Sequence, residues 1–321
     1  MSYYLFDFSD IPLYSFDEVP DHQQGNSYVI RGYRAKLLDR QCMKSVLRLS
    51  NQLVNIWTHG GLFILLIPLM IHDHIRLLPS MGASTWDNFS FLIYHVCTQS
   101  CFLASAGYHT FNCHLREEVA ARWLACDCYG VVTGVTGIYV VTIYQAFTCN
   151  KISRICYLTA VVALVLASRR TMLHPGYFSK LWEKYRILHF STFVALGCLI
   201  AVHWCIISTS EELETFLPEV VINFVIIALA LLILVTKVPE RFSPGELRKH
   251  FISIKQGQVN SVVTSTLCRC QSVLINAQNH AYDVPGEDKV LCAVQETLPS
   301  LKWNVEMIFS QSKTGNIQYS S

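Results

Sequence analysis

Six apolar runs dominate the middle of the chain. They cover residues 53–71, 89–111, 125–147, 155–168, 187–207 and 220–236. Each is close to the roughly 20 apolar residues that cross a hydrocarbon core about 30 Å thick. Backbone amides find no water at that depth, so each run is predicted to be a helix that closes its own hydrogen bonds. The fourth run is short and is expected to let its polar flanks reach the interface. The expected fold is an all-α polytopic membrane protein. A cytosolic segment spans 1–52, a bundle of six transmembrane helices spans 53–236, and a cytosolic tail spans 237–321.

A second pattern precedes the first run. Residues 37–57, LLDRQCMKSVLRLSNQLVNIW, read as an amphipathic helix. Leu38, Met43, Val46, Leu47 and Val54 share one face, and Arg40, Lys44 and Arg48 share another. A basic face suits an anionic leaflet; packing against the underside of the bundle suits the pattern equally well. Beyond residue 246 the chain is polar and mixed, and a poorly ordered tail is expected.

Composition supports the membrane reading. The chain is 52% hydrophobic and only 15% charged, where soluble domains carry roughly 25% charged residues. The net charge of +2 supplies no bulk field for nucleic acid. The opening MSYYLFDFSD is acidic and lacks the basic start of a secretory signal. Most of the thirteen cysteines lie inside apolar runs, among them Cys97, Cys101, Cys126, Cys156, Cys198 and Cys205. They read as small packing residues rather than a disulfide framework. Cys126-x-Cys128 and Cys268-x-Cys270 lack partner pairs at zinc-finger spacing.

Lysine and arginine set the expected orientation. Arg31, Arg34, Lys36, Arg40, Lys44 and Arg48 precede the first run, and Arg169, Arg170, Lys180, Lys184 and Arg186 fill the fourth loop. The fifth loop, STSEELETFLPE, has none. The N-terminus, the second and fourth loops and the tail are therefore expected in the cytosol. The sequon Asn88-Phe-Ser90 abuts the second run too closely for easy glycosylation.

Chemistry concentrates in SAGYHTFNCH, residues 105–114. Ser105 and His109 are four apart and share a helix face. Asp127 opens the third helix at the same membrane end. Ionisable groups inside a bilayer are costly and call for a named partner. Two arrangements fit: a metal site with His109 as ligand, or a hydrogen bond from His109 to Asp127 across the helix pair. His95 and His203 lie in apolar runs, His59 follows Trp57 at an interface, and His114 and His174 border loops; these read as satisfied polar groups. Trp57, Trp123 and Trp204 read as belt or packing aromatics. No phosphate-binding loop, nucleophile elbow, selectivity filter or HExxH pair occurs.

Several stretches together resemble the progestin and adipoQ receptor family, the seven-helix membrane proteins that include the adiponectin receptors. They are NSYVIRGYRAKL (26–37), SNQLVNIWTH (50–59), SAGYHTFNCH (105–114), DCYG (127–130) and KVPERFSPG (237–245). GYRA and SNQLVNIWTH are similar to the branch whose Golgi-resident member tethers a Raf kinase. The resemblance implies a cytosolic N-terminus. It implies that Ser105 and Asp127 take the family's catalytic positions and that His109 is a zinc ligand. In the family these join a His-x3-His pair on a seventh helix, and three imidazoles with an open water position make a hydrolytic zinc centre. Ceramide-like lipids are the implied substrates.

The chain departs from that pattern after PERFSPGEL. No His-x3-His and no apolar span occurs in residues 246–321. The bundle is thus expected to match the first six helices of seven. His109 is the single remaining family ligand and is expected to hold zinc at low occupancy, with the lipid-amidase activity lost. The expected function is a multi-pass receptor-like scaffold in the Golgi membrane. Its residues 31–48 would retain a cytosolic, Raf-like kinase, with membrane lipids and a second copy of the chain as further partners. The alternative is a zinc-dependent, ceramidase-like lipid amidase.

Overall fold

The computed structural model describes residues 11–80, 82–174, 176–238, 241, 242 and 244. Six helices in this part are long and apolar enough to cross a membrane: Leu53–Ser80, Thr85–Phe111, Glu117–Ala146, Lys151–Met172, Lys184–Ile207 and Ser210–Ile233. The all-α polytopic architecture expected from the apolar runs is what the chain adopts. The proposed tail over 237–321 lies almost wholly outside the described residues.

The spans run past their apolar cores because polar ends are capped or paired. Ser84 and Asp87 form a capping box in which the Ser84 amide donates to Asp87 at 2.8 Å, so the second span starts at Thr85 rather than 89. Thr209 and Glu212 do the same for the sixth, which makes helix of most of the stretch expected to be the fifth loop. Asn150 accepts from the Ser153 amide at 3.0 Å and starts the fourth span, which at 22 residues is about 33 Å long and needs no help from its flanks. Glu117 and Glu118 occupy the first turn of the third span, where carboxylates meet the positive helix end. The first span continues to Ser80 through a π-helical turn at Asp73–Leu77, carrying the polar sequence His72-Asp73-His74 that reads locally as a loop. Asn88 lies in the first turn of the second span, its amide donating to Ser84 O at 3.2 Å.

The second span is the centre of the bundle, with 39% of its most apolar window buried against 11% for the fourth and fifth. Leu66, Leu78, Phe91, Tyr94, Phe102 and Val141 knit the first three spans into one core. The third span lies tightly on the second through a stripe of glycines. A Cβ placed on Gly130, Gly134 or Gly137 would come within 3.0, 3.0 and 2.6 Å of Ala104, Cys101 and Cys97 respectively. With lipid on the outside there is no hydrophobic drive between spans, so close backbone approach and dispersion hold them together. A second core around Ile143, Phe147, Val161 and Ile200 joins the third, fourth and fifth spans. Outward positions such as Ile64, Leu103, Val162, Leu199 and Leu232 are exposed, as suits a surface solvated by acyl chains.

Residues 11–52 form a cap rather than one amphipathic helix. A short antiparallel pair, Tyr14–Ser15 with Arg31–Tyr33, leads to a helix of only six residues, Asp39–Lys44, and a 3-10 turn, Ser45–Leu47. A bend over 48–52 separates these from the first span, so the predicted helix over 37–57 is broken. Its buried face is Leu37, Cys42 and Ser45, while Leu38, Met43 and Leu47 remain exposed. The cap is fastened to the loop after the second span. Leu37 N donates to Cys113 O at 3.0 Å, and Leu115 N donates to Leu37 O at 2.7 Å. The Gln23 amide donates to Asn112 O at 2.6 Å, and His114 pairs with Asp39 at 3.1 Å.

Candidate functional site

The first part of SAGYHTFNCH packs the second span against the first and third, and its end meets the cap. Ser105, on the second span, lies near the Asp127 carboxyl on the third. Ala106 approaches Gly60 on the first span. Gly107 lies under the Trp123 ring, where a Cβ would sit 2.1 Å from a ring carbon, and Phe111 stacks on the same ring at 5.1 Å. Trp123 is thus a packing aromatic. Cys113 meets Cys42, and His114 meets Asp39.

His109 does not bond Asp127. Its Nδ1 lies 2.8 Å from Gln52 Oε1, and the same oxygen accepts from the Asn55 amide at 3.0 Å. An amide oxygen only accepts, so His109 carries its proton on Nδ1 and keeps the lone pair on Nε2. His59 packs edge-on against His109 with ring centroids 5.6 Å apart, and Phe102 closes the other side of His59 at 5.8 Å. His59 is therefore buried between the first and second spans. Arg34 reaches in from the cap: Nη2 donates to the His109 carbonyl at 2.7 Å and Nη1 donates to Ser45 Oγ. Burial pushes the Arg34 guanidinium down from its usual value.

The predicted residues thus fall into two adjacent pairs rather than one triad. Ser105 is with Asp127, and His109 is with Gln52 and His59. Sequence reasoning missed Gln52, Asn55, His59 and Arg34 as members of this site. Gln52, Asn55 and His59 stand at i, i+3 and i+7, one helical face. A polar stripe at that spacing in SNQLVNIWTH was the available signal.

A hydrolytic zinc centre needs three protein ligands and an open position. Among the described residues no three His, Cys, Asp or Glu side chains are grouped to hold a metal ion. His109 Nε2 has the free lone pair of a ligand, and Gln52 holds its tautomer as a supporting neighbour of a ligand would. Only the one neighbouring imidazole, His59, lies within ring contact. The described donor set therefore does not fit catalytic zinc.

A second buried polar cluster sits at the opposite membrane end. His95 is 14 residues, about 21 Å along the helix, from His109. His95 Nε2 lies 3.2 Å from the Asp73 carboxylate, which also faces His72 at 3.4 Å. His74 packs on His95 at 5.6 Å, and the Gln145 amide donates to Asp87 at 3.2 Å. His203 bonds the Tyr157 hydroxyl at 2.8 Å. His189 links Tyr177 and Ser168 at 2.6 and 2.8 Å. His203 and His189 are thus satisfied polar groups, as expected for His203, and His95 is paired with the Asp73 carboxylate. Nine of the described cysteines are free thiols; Cys149 is disulfide-bonded, against the expectation that the cysteines serve packing alone.

The profile of haemolysin-III-related proteins matches residues 47–253. The chain is 38% identical over 240 residues to mouse progestin and adipoQ receptor family member 3, covering 74% of this chain and 77% of the relative. It is similar to the same extent to the human protein of that name. It is 26% identical over 234 residues to the fruit-fly adiponectin receptor protein, covering 72% of this chain and 52% of that one.

Proposed function

The chain belongs to the haemolysin-III-related family, the progestin and adipoQ receptors, and from that premise we propose that it is a receptor-like membrane scaffold. In this reading it sits in the Golgi membrane with its N-terminus in the cytosol and retains a cytosolic kinase of the Raf type. The observation that carries the reading is the outer face of the cap. Arg31, Lys36, Arg40 and Lys44 are exposed, alongside exposed Leu38, Met43 and Leu47. Basic and apolar side chains interleaved at a membrane end suit both an anionic leaflet and an acidic partner surface. Family hydrolysis is the weaker reading, because the described donors do not complete a zinc centre. His109 then holds zinc weakly, and Ser105 and Asp127 serve to join the second and third spans.

The test is retention in cells. The full chain and a variant with Arg31, Lys36, Arg40 and Lys44 all changed to Ala are expressed with a tagged Raf-type kinase. The expected result is kinase at Golgi membranes with the parent chain and in the cytosol with the variant. A kinase distribution indifferent to both proteins overturns the reading. Stoichiometric zinc together with ceramide turnover, both lost in His109→Ala, would establish the hydrolase in its place.

A further inference from the structure

We propose that Cys42 and Cys113 are a thiol pair that closes reversibly to a disulfide, so that the joint between cap and second span is a redox-modification site. The two sulfurs lie 3.6 Å apart although the residues are 71 positions apart in sequence. They are held there by backbone: the isolated bridge between Leu37 and His114 fixes the segment before Cys42 against the turn carrying Cys113. A disulfide needs about 2.05 Å, so the sulfurs must close by about 1.6 Å. Cys97 and Cys101 provide the contrast. They pack against glycines of the third span, and among the described residues no hydrogen bond joins either to another sulfur.

The surroundings also select a thiolate. Arg34 is 2% exposed, and its Nε is buried with no hydrogen-bond partner. Among the described residues it has no carboxylate in an ion pair. A buried cation calls for a counter-charge, and the ionisable groups acting on Arg34 are Cys113 and Cys42. The contact with Cys42 and the charge of Arg34 hold the Cys113 thiol below its usual value, while the Cys113 contact and burial push Cys42 up. The two sulfurs thus sit in contact beside a buried cation, the setting of a reactive dithiol.

The chemistry balances with a hydroperoxide as oxidant. The Cys113 thiolate attacks one peroxide oxygen, the O–O bond breaks, and hydroxide or alkoxide leaves and takes up a proton. The resulting sulfenic acid is attacked by the Cys42 sulfur. An S–S bond forms, the S–O bond breaks, and the hydroxyl departs as water with the Cys42 proton. Two thiols are oxidised and one peroxide is reduced. Both sulfurs are fully buried, so hydrogen peroxide, about the size of water, enters on local opening of the cap. The product ties the cap to the second span and removes the counter-charge facing Arg34.

The experiment uses the full chain in detergent. Protein is treated with graded hydrogen peroxide, remaining thiols are alkylated, and tryptic peptides are sequenced without reduction. The expected result is loss of Cys42 and Cys113 together, before Cys97 and Cys101, as a crosslink between the peptides bearing residues 42 and 113. Dithiothreitol should reverse it. In Cys42→Ala, dimedone should label Cys113, since the sulfenic acid then has no partner. Cys42 and Cys113 persisting as thiols after Cys97 and Cys101 have been oxidised would overturn the proposal. The wild-type measurement decides even if the variant fails to fold.

Discussion

Replacing Gly137 with alanine should loosen the bundle far more than its one methyl suggests. A Cβ there would lie 2.6 Å from Cys97 Cβ, 3.2 Å from Tyr94 Cα and 3.4 Å from Cys97 Sγ. Ordinary carbon contacts are about 3.5–4.0 Å, so the second and third spans must part by about 1 Å. The nearest atoms are a Cβ and a backbone carbon, which cannot swing aside as a side-chain tip can. Overpacking of this kind costs about 1–3 kcal/mol. Gly61 is the control, because a Cβ there meets nothing within 4 Å. Gly61→Ala should be neutral or gain about 0.5–1 kcal/mol from reduced backbone freedom. The two variants should therefore differ by about 1–4 kcal/mol, roughly 5- to 1000-fold in the unfolding equilibrium. Unfolding by SDS in mixed micelles, followed by tryptophan fluorescence, reads this directly. Cys97→Gly removes the nearest atom and should recover part of the loss in the double variant, a non-additivity that marks direct contact. Equal stability of Gly137→Ala and Gly61→Ala would refute the close-approach account of this helix pair.

Three further outcomes follow from the site and the cap. Arg34→Ala removes charged donors to His109 O and Ser45 and should weaken cap docking by about 1.5–3 kcal/mol, seen as faster tryptic cleavage after Arg40 and Lys44 with the spans intact. Asp73→Asn should destabilise the first and second spans by about 1–3 kcal/mol, because His95 at 3.2 Å loses a charged acceptor in a buried site; unchanged thermal unfolding would remove that pair from the account. Tyr33 has its hydroxyl pushed up to about 12 by burial, from an ordinary 10. Burial favours the neutral form, so this contribution is complete below pH 10 and is lost as pH rises toward 12. Trypsin sensitivity of the cap should climb over that window, and more steeply than in Tyr33→Phe.

The bilayer explains how much could be read from residues alone. Because lipid leaves a spanning segment no choice but helix, six apolar runs were enough to give six spans, and Ser105 with His109 could be placed on one face by counting. Helix ends were less legible. Asp73 in the first span looks like loop until His95 is beside it, and the stretch after Thr209 looks like loop until its capping box is considered. Partners were least legible of all. That Asp127 goes to Ser105 and His109 goes to Gln52, 57 positions away, depends on which faces of separate helices meet. The same holds for Cys42 against Cys113. Hydrophobicity is a local property and determines secondary structure through the solvent that surrounds each segment. Pairing of polar groups is set by close packing, here by glycines that let two helices touch, and only the tertiary structure decides it.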